Sequence, residues 1–448
     1  MKKQSFRMKS VSSHIKVCVA LCVWLGVDVS ATAEVSDLVS VYQQALGSDP
    51  VFRSATAGRD AALEALPQSR AGLMPAVVLS ADRSLVQQLK SYPEHYAINS
   101  WSLNLVQPLF RWDRWLSFKE ADSKVAQADR GFQAATQGLL LRVTTAYFDV
   151  LAAEDSLRVA TAETSAMNRQ LVVAKERLTV GAAILTEQHE AQSRLDFAEA
   201  REIAAQNDLE NRREALREIA GTLPERLAPL REDVSFPGPN PADPEKWVAS
   251  ARDNNPTLQV ARLQVQVAEA ERKKAFSGHL PTVDLVLSRS YRDNQADAYW
   301  LGGYVSDANI AMIQMKLPIF LGGQVSSAER QAVAGVDQAR DDLETAERQT
   351  VRGTRNAYRT VNSSLAQVKA YSQALISAKS MLNTTVEGRE VGMRTMVDVL
   401  NAERDYFQAE RNLSTARHDY VLSSFQLKSM NGSLSPADLA SVNQWLAR

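Results

Sequence analysis

Four short segments of the chain alternate apolar and polar residues, and they constrain its fold more than any other feature. They lie near residues 76–90, 96–108, 282–294 and 305–317. A period of two is typical of β-strands with one apolar and one polar face. A soluble sheet over a core has the same period, but no separate apolar layer of the chain remains to cover such a sheet. Each segment is also long enough for a tilted strand that crosses a bilayer.

Four strands cannot close a barrel on their own. The open edges of a four-stranded sheet would leave backbone hydrogen-bonding groups unsatisfied in lipid, and closed membrane barrels begin at about eight strands. After residue 33 the chain contains no apolar run of about 18 residues, so a membrane crossing must use strands. The pattern therefore predicts that copies of the chain oligomerise and share one barrel.

Two very long helical stretches set the second dimension of the molecule. They run from about 112 to 180 and from about 325 to 391, so each is about 100 Å long at a rise of about 1.5 Å per residue. In the helix that follows the second stretch, an apolar or aromatic residue recurs every seven positions, at Tyr406, Leu413, Tyr420 and Leu427. A sustained period near 3.5 predicts coiled-coil packing. An ordinary amphipathic core helix, with about 8–20 residues, is too short to explain these stretches.

Each long stretch ends at a glycine within a short break, TVGAAILTE around Gly181 and EVGMRTMVD around Gly392. Glycine readily adopts the left-handed conformation with which many helices end. Thr186 and Thr395 are the predicted N-caps of the returning helices. The sequence thus predicts two antiparallel helical hairpins whose tips lie about 100 Å from the strands.

The two halves of the chain are tandem copies of one pattern, since LMPAVVLSADRS in the first half matches LPTVDLVLSRS in the second. Each copy has a helix-compatible stretch (about 36–66 and 243–276), two strands (near 76–110 and 282–320) and a helical hairpin. The predicted units are a first repeat at 34–221, a Pro-rich linker at 222–244, a second repeat at 245–432 and a C-terminal segment at 433–448.

The segment 1–33 is typical of a secretory signal peptide. A basic stretch is followed by an apolar run at 17–27 and by the small residues Ala31 and Ala33, a pattern that predicts cleavage before Glu34. A signal anchor is the alternative. Both cysteines, at positions 18 and 22, lie in this segment, so the mature chain is predicted to contain no thiol and no disulfide.

Charge and residue usage argue against several function classes. The segment 1–33 takes away five of the 51 basic and one of the 52 acidic residues, which leaves 46 and 51. A mildly acidic chain has no global attraction for nucleic acid. The histidines of the mature chain are scattered without metal-ligand spacing, and no phosphate-binding loop or nucleophile motif is present. The sequence therefore predicts no enzyme, no bound metal and no cofactor.

The stretch VGMRTMVDVLNAERDYFQAERNLSTARHDYVLSSFQLKSMNGSLSPADL at 391–439 resembles the TolC-type outer-membrane factor family. This family includes outer membrane efflux proteins and the outer-membrane channels of type I secretion. The resemblance implies an α+β membrane protein that assembles as a homotrimer in the outer membrane of a Gram-negative bacterium. Each chain would supply four strands of a twelve-stranded β-barrel and part of a coiled-coil α-helical tunnel in the periplasm.

The resemblance also implies functional residues at the hairpin tips. The positions with which the family closes its tunnel, a periplasmic gate, hold Thr186, Glu187, Arg389 and Arg394. The family usually has Asp in place of Glu187 and often Tyr in place of Arg389. Its lumenal acidic rings, which select for cations, correspond to Asp398 and the neutral Asn401. The tips that match its adaptor-docking motif are Val180-Gly181-Ala182 and Val391-Gly392-Met393.

Two alternatives remain open at this stage. The residues alone allow Arg394 and Asp398 to be only a solvated i,i+4 ion pair.

For the whole chain, the resemblance implies an exit duct that passively conducts drugs or secreted proteins. Its partners would be a periplasmic adaptor and an inner-membrane RND-type pump or ABC transporter. The alternative is that the chain is itself a periplasmic adaptor, which would have one hairpin flanked by soluble β-domains.

Overall fold

The structure is a computed structural model that describes residues 35–88, 94–224, 226–295 and 303–447. The predicted signal peptide at 1–33 lies outside these residues. The strands are β1 (Val35–Ser36), β2 (Ala76–Gln88), β3 (Glu94–Phe110), β4 (Arg226–Leu227), β5 (Thr282–Asn294) and β6 (Tyr304–Lys316). The α-helices are α1 (Leu38–Ser48), α2 (Pro50–Leu63), α3 (Ala65–Ala71), α4 (Trp112–Thr179), α5 (Leu185–Ala220), α6 (Pro244–Asn254), α7 (Pro256–Phe276), α8 (Gln324–Glu390), α9 (Met396–Asn431) and α10 (Pro436–Asn443).

The four predicted strands are confirmed as β2, β3, β5 and β6, which form one antiparallel sheet in that order. A row of four apolar residues crosses all four strands, at Val77, Leu105, Leu287 and Ala311. In the next row, on the opposite face, the Ser288 hydroxyl donates a hydrogen bond of 2.7 Å to Asn104 Oδ1. Among the described residues, β2 and β6 each have one strand neighbour, so both edges of the sheet are open.

The apolar face of this sheet is exposed in the single chain. Leu79 is 68% exposed and Ile313 is 71% exposed. Large aliphatic side chains of a soluble sheet would be buried under a second layer, because exposed apolar area is unfavourable in water. No helix of the described residues is both long and apolar enough to cross a membrane.

The predicted long helices are confirmed as α4, with 68 residues, and α8, with 67 residues. Each is therefore about 100 Å long. Both are continued by return helices of 36 residues, α5 and α9. The four helices pack side by side in the order α5, α4, α9, α8, with α4 and α9 in the centre. On α8, the buried seam against α9 includes Thr350, Thr354, Ala357 and Val361, and the 4-3-4 spacing of these residues agrees with the predicted coiled-coil period.

The two helix-compatible stretches before the strands are each divided into shorter helices. Asp49 follows α1 and Asn255 follows α6, and each of these residues caps the next helix through its side chain. A proline follows each cap, Pro50 and Pro256. Proline disfavours the helical conformation of the residue before it but fits the first position of a new helix. The same break therefore occurs in both repeats for the same reason.

A bidentate ion pair joins the sheet to the helices. Arg111, which follows β3, donates hydrogen bonds of 3.0 Å and 2.7 Å to the carboxylate of Asp284 on β5.

Farther along the chain, the Pro-rich linker and the C-terminal helix pack together. The ring of Phe236 lies 4.7 Å from that of Tyr420 and 5.8 Å from that of Trp445. The two repeats, the linker and the C-terminus therefore share one hydrophobic core.

A buried carboxylate connects three of the four helices of the two hairpins. The side chain of Glu163 on α4 is 1% exposed, and it accepts hydrogen bonds of 2.7 Å from Arg201 on α5 and 2.9 Å from Arg411 on α9. Arg201 is 46% exposed and Arg411 is 20% exposed. Since Glu163 lies in the interior, its contacts with these two guanidinium groups offset the cost of burying a carboxylate.

A second carboxylate of α4, Asp155, also contacts α9. It lies 3.2 Å from Nε2 of His418 and accepts a hydrogen bond of 2.6 Å from the hydroxyl of Ser414. Burial by itself would raise the pKa of Asp155, but the contacts with His418 and Ser414 lower it to about 2. The contact between the two repeats therefore favours an ionised Asp155.

Candidate functional site at the hairpin tips

The two hairpin tips have the same backbone geometry. In the first tip, the amide of Gly181 donates to Leu178 O at 3.1 Å and the amide of Ala182 donates to Arg177 O at 2.8 Å. In the second tip, the equivalent bonds have lengths of 3.1 Å and 2.7 Å, from Gly392 to Arg389 O and from Met393 to Gly388 O. Both are Schellman motifs, which satisfy the last carbonyl groups of a helix.

Glycine is required at these turns by the backbone and not by crowding. Gly181 has a φ of 71° and Gly392 a φ of 78°, which is the left-handed region that side chains with a Cβ disfavour. Among the described residues, and apart from the chain neighbours, no heavy atom would lie within 4 Å of a Cβ atom added to either glycine. The tips are therefore open to approach by another molecule.

Large apolar side chains surround both tip glycines. Val180 is 77% exposed, Val391 is 66% exposed and Met393 is 80% exposed. Their exposure at the end of each hairpin is unusual for a folded chain in water, and exposed apolar groups of this kind mark protein–protein contacts when they are contiguous. The apolar residues among those predicted for docking are therefore exposed at the tips.

The two return helices begin differently. Thr395 caps α9 and forms a capping box, in which the Thr395 amide donates to Oδ2 of Asp398 at 2.9 Å and the Thr395 hydroxyl accepts from the Asp398 amide at 3.2 Å. The predicted cap at Thr186 is wrong, because α5 is capped by Ile184 without a side-chain hydrogen bond and Thr186 lies inside its first turn. The VG turn places the cap at the third position after the glycine, and that position holds threonine only in the second repeat.

The capping box also corrects the interpretation of Arg394 and Asp398 as an i,i+4 ion pair. The hydrogen bond from the backbone of Thr395, followed by that from its hydroxyl, lowers the pKa of Asp398. The carboxylate is therefore engaged with its own helix terminus. Within the described part of the chain, Arg394 makes no ion pair and no side-chain hydrogen bond, and its side chain lies against Gly388.

Among the predicted gate residues, Arg389 takes part in side-chain hydrogen bonds between the two hairpins. Arg389 donates a hydrogen bond of 3.0 Å to Oε1 of Gln170 on α4. Nε2 of Gln170 donates in turn a bond of 2.9 Å to Glu403 on α9. Burial, followed by the charge of Arg177, lowers the pKa of Arg389, while burial raises the pKa of Glu403. Arg389 thus lies in a network that joins both hairpins just above the tips.

Gln170 and Glu403 were not predicted from the sequence, although a signal for them exists. Gln170 precedes Gly181 by as many positions as Glu403 follows Gly392. Equal distance from two tips places two residues at one level when the tips themselves are level. The hydrogen bond between them shows that the tips are level.

Asn401, the second predicted ring residue, contacts the other hairpin of the same chain. Its Oδ1 accepts a hydrogen bond of 3.4 Å from Nη2 of Arg194 on α5. Arg194 also pairs with Glu190 at 2.9 Å. The structure brings Asn401 close to a cation, whereas Asp398 has no such neighbour within hydrogen-bonding distance among the described residues.

Comparison with known proteins assigns this combination of sheet, hairpins and tips to a family. The model of the family described as "Outer membrane efflux protein" matches residues 41–222 and 247–433, which are most of the chain. The chain belongs to the outer membrane efflux protein family. The two matched ranges correspond to the two halves of the molecule, each with its sheet strands and its hairpin.

Individual relatives of this efflux protein cover nearly its full length. It is 38% identical over 419 residues to the outer membrane protein TolC of Vibrio cholerae, with 93% of this chain and 95% of that protein covered. It is 33% identical to the outer membrane protein TolC of Escherichia coli, with 94% and 87% covered. The solved structure of the outer membrane protein VceC of Vibrio cholerae superimposes with a TM-score of 0.75 at 20% identity, with 88% and 96% covered.

These findings decide between the two alternatives left by the sequence. Membership of the family places the chain in the outer membrane as an efflux channel. A periplasmic adaptor would have a single hairpin between soluble β-domains, whereas the described residues form two hairpins attached to one sheet with an exposed apolar face. The interpretation as an adaptor is therefore wrong.

Proposed function

We propose that three copies of the chain form one continuous exit duct, a shared twelve-stranded barrel in the outer membrane above a helical tunnel in the periplasm. The open sheet edges β2 and β6 carry this proposal. In lipid, their unpaired backbone groups must find partners, and β6 of one copy can pair with β2 of the next. Such a duct conducts its cargo passively and has no catalytic activity. Drugs and secreted proteins are both candidate cargoes.

The proposed partners of the duct are a periplasmic adaptor and, through it, an inner-membrane RND-type pump or ABC transporter. Docking would occur at the tips Val180-Gly181-Ala182 and Val391-Gly392-Met393. These residues lie at the end of the tunnel farthest from the sheet, and they combine exposed apolar side chains with open glycines. An adaptor that covers both tips would remove this apolar surface from water.

We further propose that the tips form the closed gate of the duct. Arg394 would donate charge-assisted hydrogen bonds to Thr186 and Glu187 of a neighbouring helix, since its side chain lies against Gly388 and pairs with no acid among the described residues. Arg389 would hold the two hairpins of one chain together through Gln170. Asp398 would supply the acidic ring of the lumen, and Asn401 would leave a second ring neutral.

Two measurements test the duct and its docking. The wild-type protein should migrate as a trimer in SDS until it is boiled, and a monomer in mild detergent would contradict the proposal. Gly392→Asp should abolish export in cells and leave the SDS-resistant trimer intact, because no heavy atom of the described residues, apart from its chain neighbours, lies within 4 Å of a Cβ at that position. The matched control is Gly131→Asp on α4, another glycine with open surroundings, which should export normally. Normal export by Gly392→Asp would contradict docking at the tips.

A further inference from the structure

A stripe of four arginines follows the outer face of α8. Arg348, Arg352, Arg355 and Arg359 are spaced 4-3-4, so they lie on one side of the helix, opposite the seam that α8 buries against α9. They line a groove of about 540 Å³ between α6 and α8. Four cations in three helical turns repel one another, so the stripe requires anions nearby.

The acids of the same chain satisfy only part of this stripe. Arg355 pairs with Glu245 of α6 at 3.0 Å, and Arg348 pairs with Glu344 one turn away. Arg352 and Arg359 have no ion-pair partner in the described part of the chain, and both are exposed. Two of the four arginines that line the groove are therefore exposed and without a carboxylate partner among the described residues.

The other outermost helix, α5, has an acidic counterpart. It packs on α4 through a seam that includes Leu209 and Leu216, and Glu214 and Glu218 lie on the opposite, exposed face. Glu218 has no ion-pair partner among the described residues. In the same part of the chain, Glu214 pairs only with Arg217, and both of these side chains are more than half exposed.

The basic and acidic residues lie at the same level along the tunnel. Arg359 precedes Gly392 by the same number of positions as Glu214 follows Gly181. One turn farther from the tips, Arg355 precedes Gly392 by the same number of positions as Glu218 follows Gly181. Because the two tips are level, equal counts along straight helices mean equal heights, about 50 Å and about 55 Å above the tips.

We propose that Glu214 and Glu218 of a second copy of this chain complete the arginine groove, as ion-pair partners of Arg352 and Arg359. Within the described residues of one chain, α5 and α8 lie at the two ends of the row of four helices and do not pack on each other. A neighbour that pairs its β2 with β6 of the first copy brings its α5 toward this α8. The inference rests on the proposed trimer and names the residues that hold its tunnel together.

The same alignment pairs small residues nearer the tips. Ala366 on α8 and Asn207 on α5 are equally distant in sequence from their respective tip glycines, and both are exposed. Their neighbours one turn away on these faces, Ala370 and Ala204, are also small and exposed. Small side chains allow close approach of two helices, so the groove and this stretch form one continuous contact surface.

Disulfide crosslinking tests the alignment. The segment 34–448 contains no cysteine, so paired substitutions introduce the only thiols of the mature chain. Asn207→Cys with Ala366→Cys should give dimers and trimers on a non-reducing gel, which a reductant converts to monomers. The control, Asn207→Cys with Ser377→Cys, shifts one thiol by about three helical turns, or about 16 Å, which is beyond the reach of a disulfide. Crosslinking of the control pair and not of the matched pair would overturn the alignment.

Charge reversal tests the ion pairs themselves. Arg352→Glu with Arg359→Glu should lower the temperature at which the trimer dissociates in SDS by several degrees, as should Glu214→Arg with Glu218→Arg. All four changes together should restore the wild-type temperature. An unchanged temperature in either double variant, or no restoration, would overturn the proposal and assign the groove to another anionic partner. If the wild-type protein shows no trimer at all, the duct itself is contradicted.

Discussion

The buried contact of Glu163 with Arg201 and Arg411 predicts an unequal response to the loss of its two partners. In Arg411→Leu, the carboxylate keeps only Arg201, whose side chain is 46% exposed and therefore bound less firmly. Removing one partner of a buried charge costs about 3–5 kcal/mol when nothing replaces it. Because one guanidinium remains at 2.7 Å, we expect Arg411→Leu to lower the free energy of unfolding by about 2–3 kcal/mol. We expect Arg201→Leu to lower the free energy of unfolding by only about 1–2 kcal/mol, since Arg201 is the more exposed partner and water can replace it more readily.

Hydrogen exchange measured by mass spectrometry can detect this difference locally. Peptides that cover α4 around Glu163 report the free energy of opening there. A loss of about 2–3 kcal/mol should accelerate their exchange roughly 30- to 150-fold, at about 1.4 kcal/mol per factor of ten. The control is Arg348→Leu, which removes an ion pair whose two side chains are 78% and 59% exposed and should change exchange by less than about threefold. If Arg411→Leu behaves like Arg348→Leu, the carboxylate does not depend on its partners and the reasoning is wrong.

Three further predictions follow from the tips, the turns and the contact at Asp155. Gly392→Ala should lower the free energy of unfolding by about 1 kcal/mol. Gly432→Ala should lower it by about 3 kcal/mol or more and reduce the thermal midpoint, because its Cβ would lie 2.4 Å from a backbone oxygen. Asp155 has a pKa of about 2 in the folded chain against 3.8 unperturbed, so it stabilises the fold above pH 4. That contribution, about 1–2 kcal/mol after allowance for solvent screening, should be lost as the pH falls from 4 to 2, and Asp155→Asn should abolish this part of the pH dependence. Arg394→Ser should raise single-channel conductance in planar bilayers, and Asp398→Ala should mainly reduce cation preference and block by multivalent cations. Unchanged conductance and selectivity in both variants would contradict the proposed gate.

Local patterns in the sequence were sufficient to predict the main strands, the long helices and the hairpin turns. The alternation in 282–290 identified β5, and the unbroken helical stretch from 112 identified α4, because each depends on the backbone period of one element. Gly181 and Gly392 identified the turns, since a left-handed residue at the end of a helix has a strong preference for glycine. The need for a second copy also came from the sequence, because four strands cannot satisfy their own edges in lipid.

The tertiary structure decided which side chains meet, since that depends on the relative height and rotation of helices far apart in the chain. Arg111 and Asp284 are 173 positions apart, and no local pattern connects them. Arg394 and Asp398 have the spacing of an ion pair, yet the turn at Thr395 places the Asp398 carboxylate on its own helix terminus. Thr186 and Thr395 occupy similar motifs, but the position of the cap after each glycine makes only Thr395 a cap. Sequence spacing determines what lies on one face of one helix, and only the packing of several helices determines what that face touches.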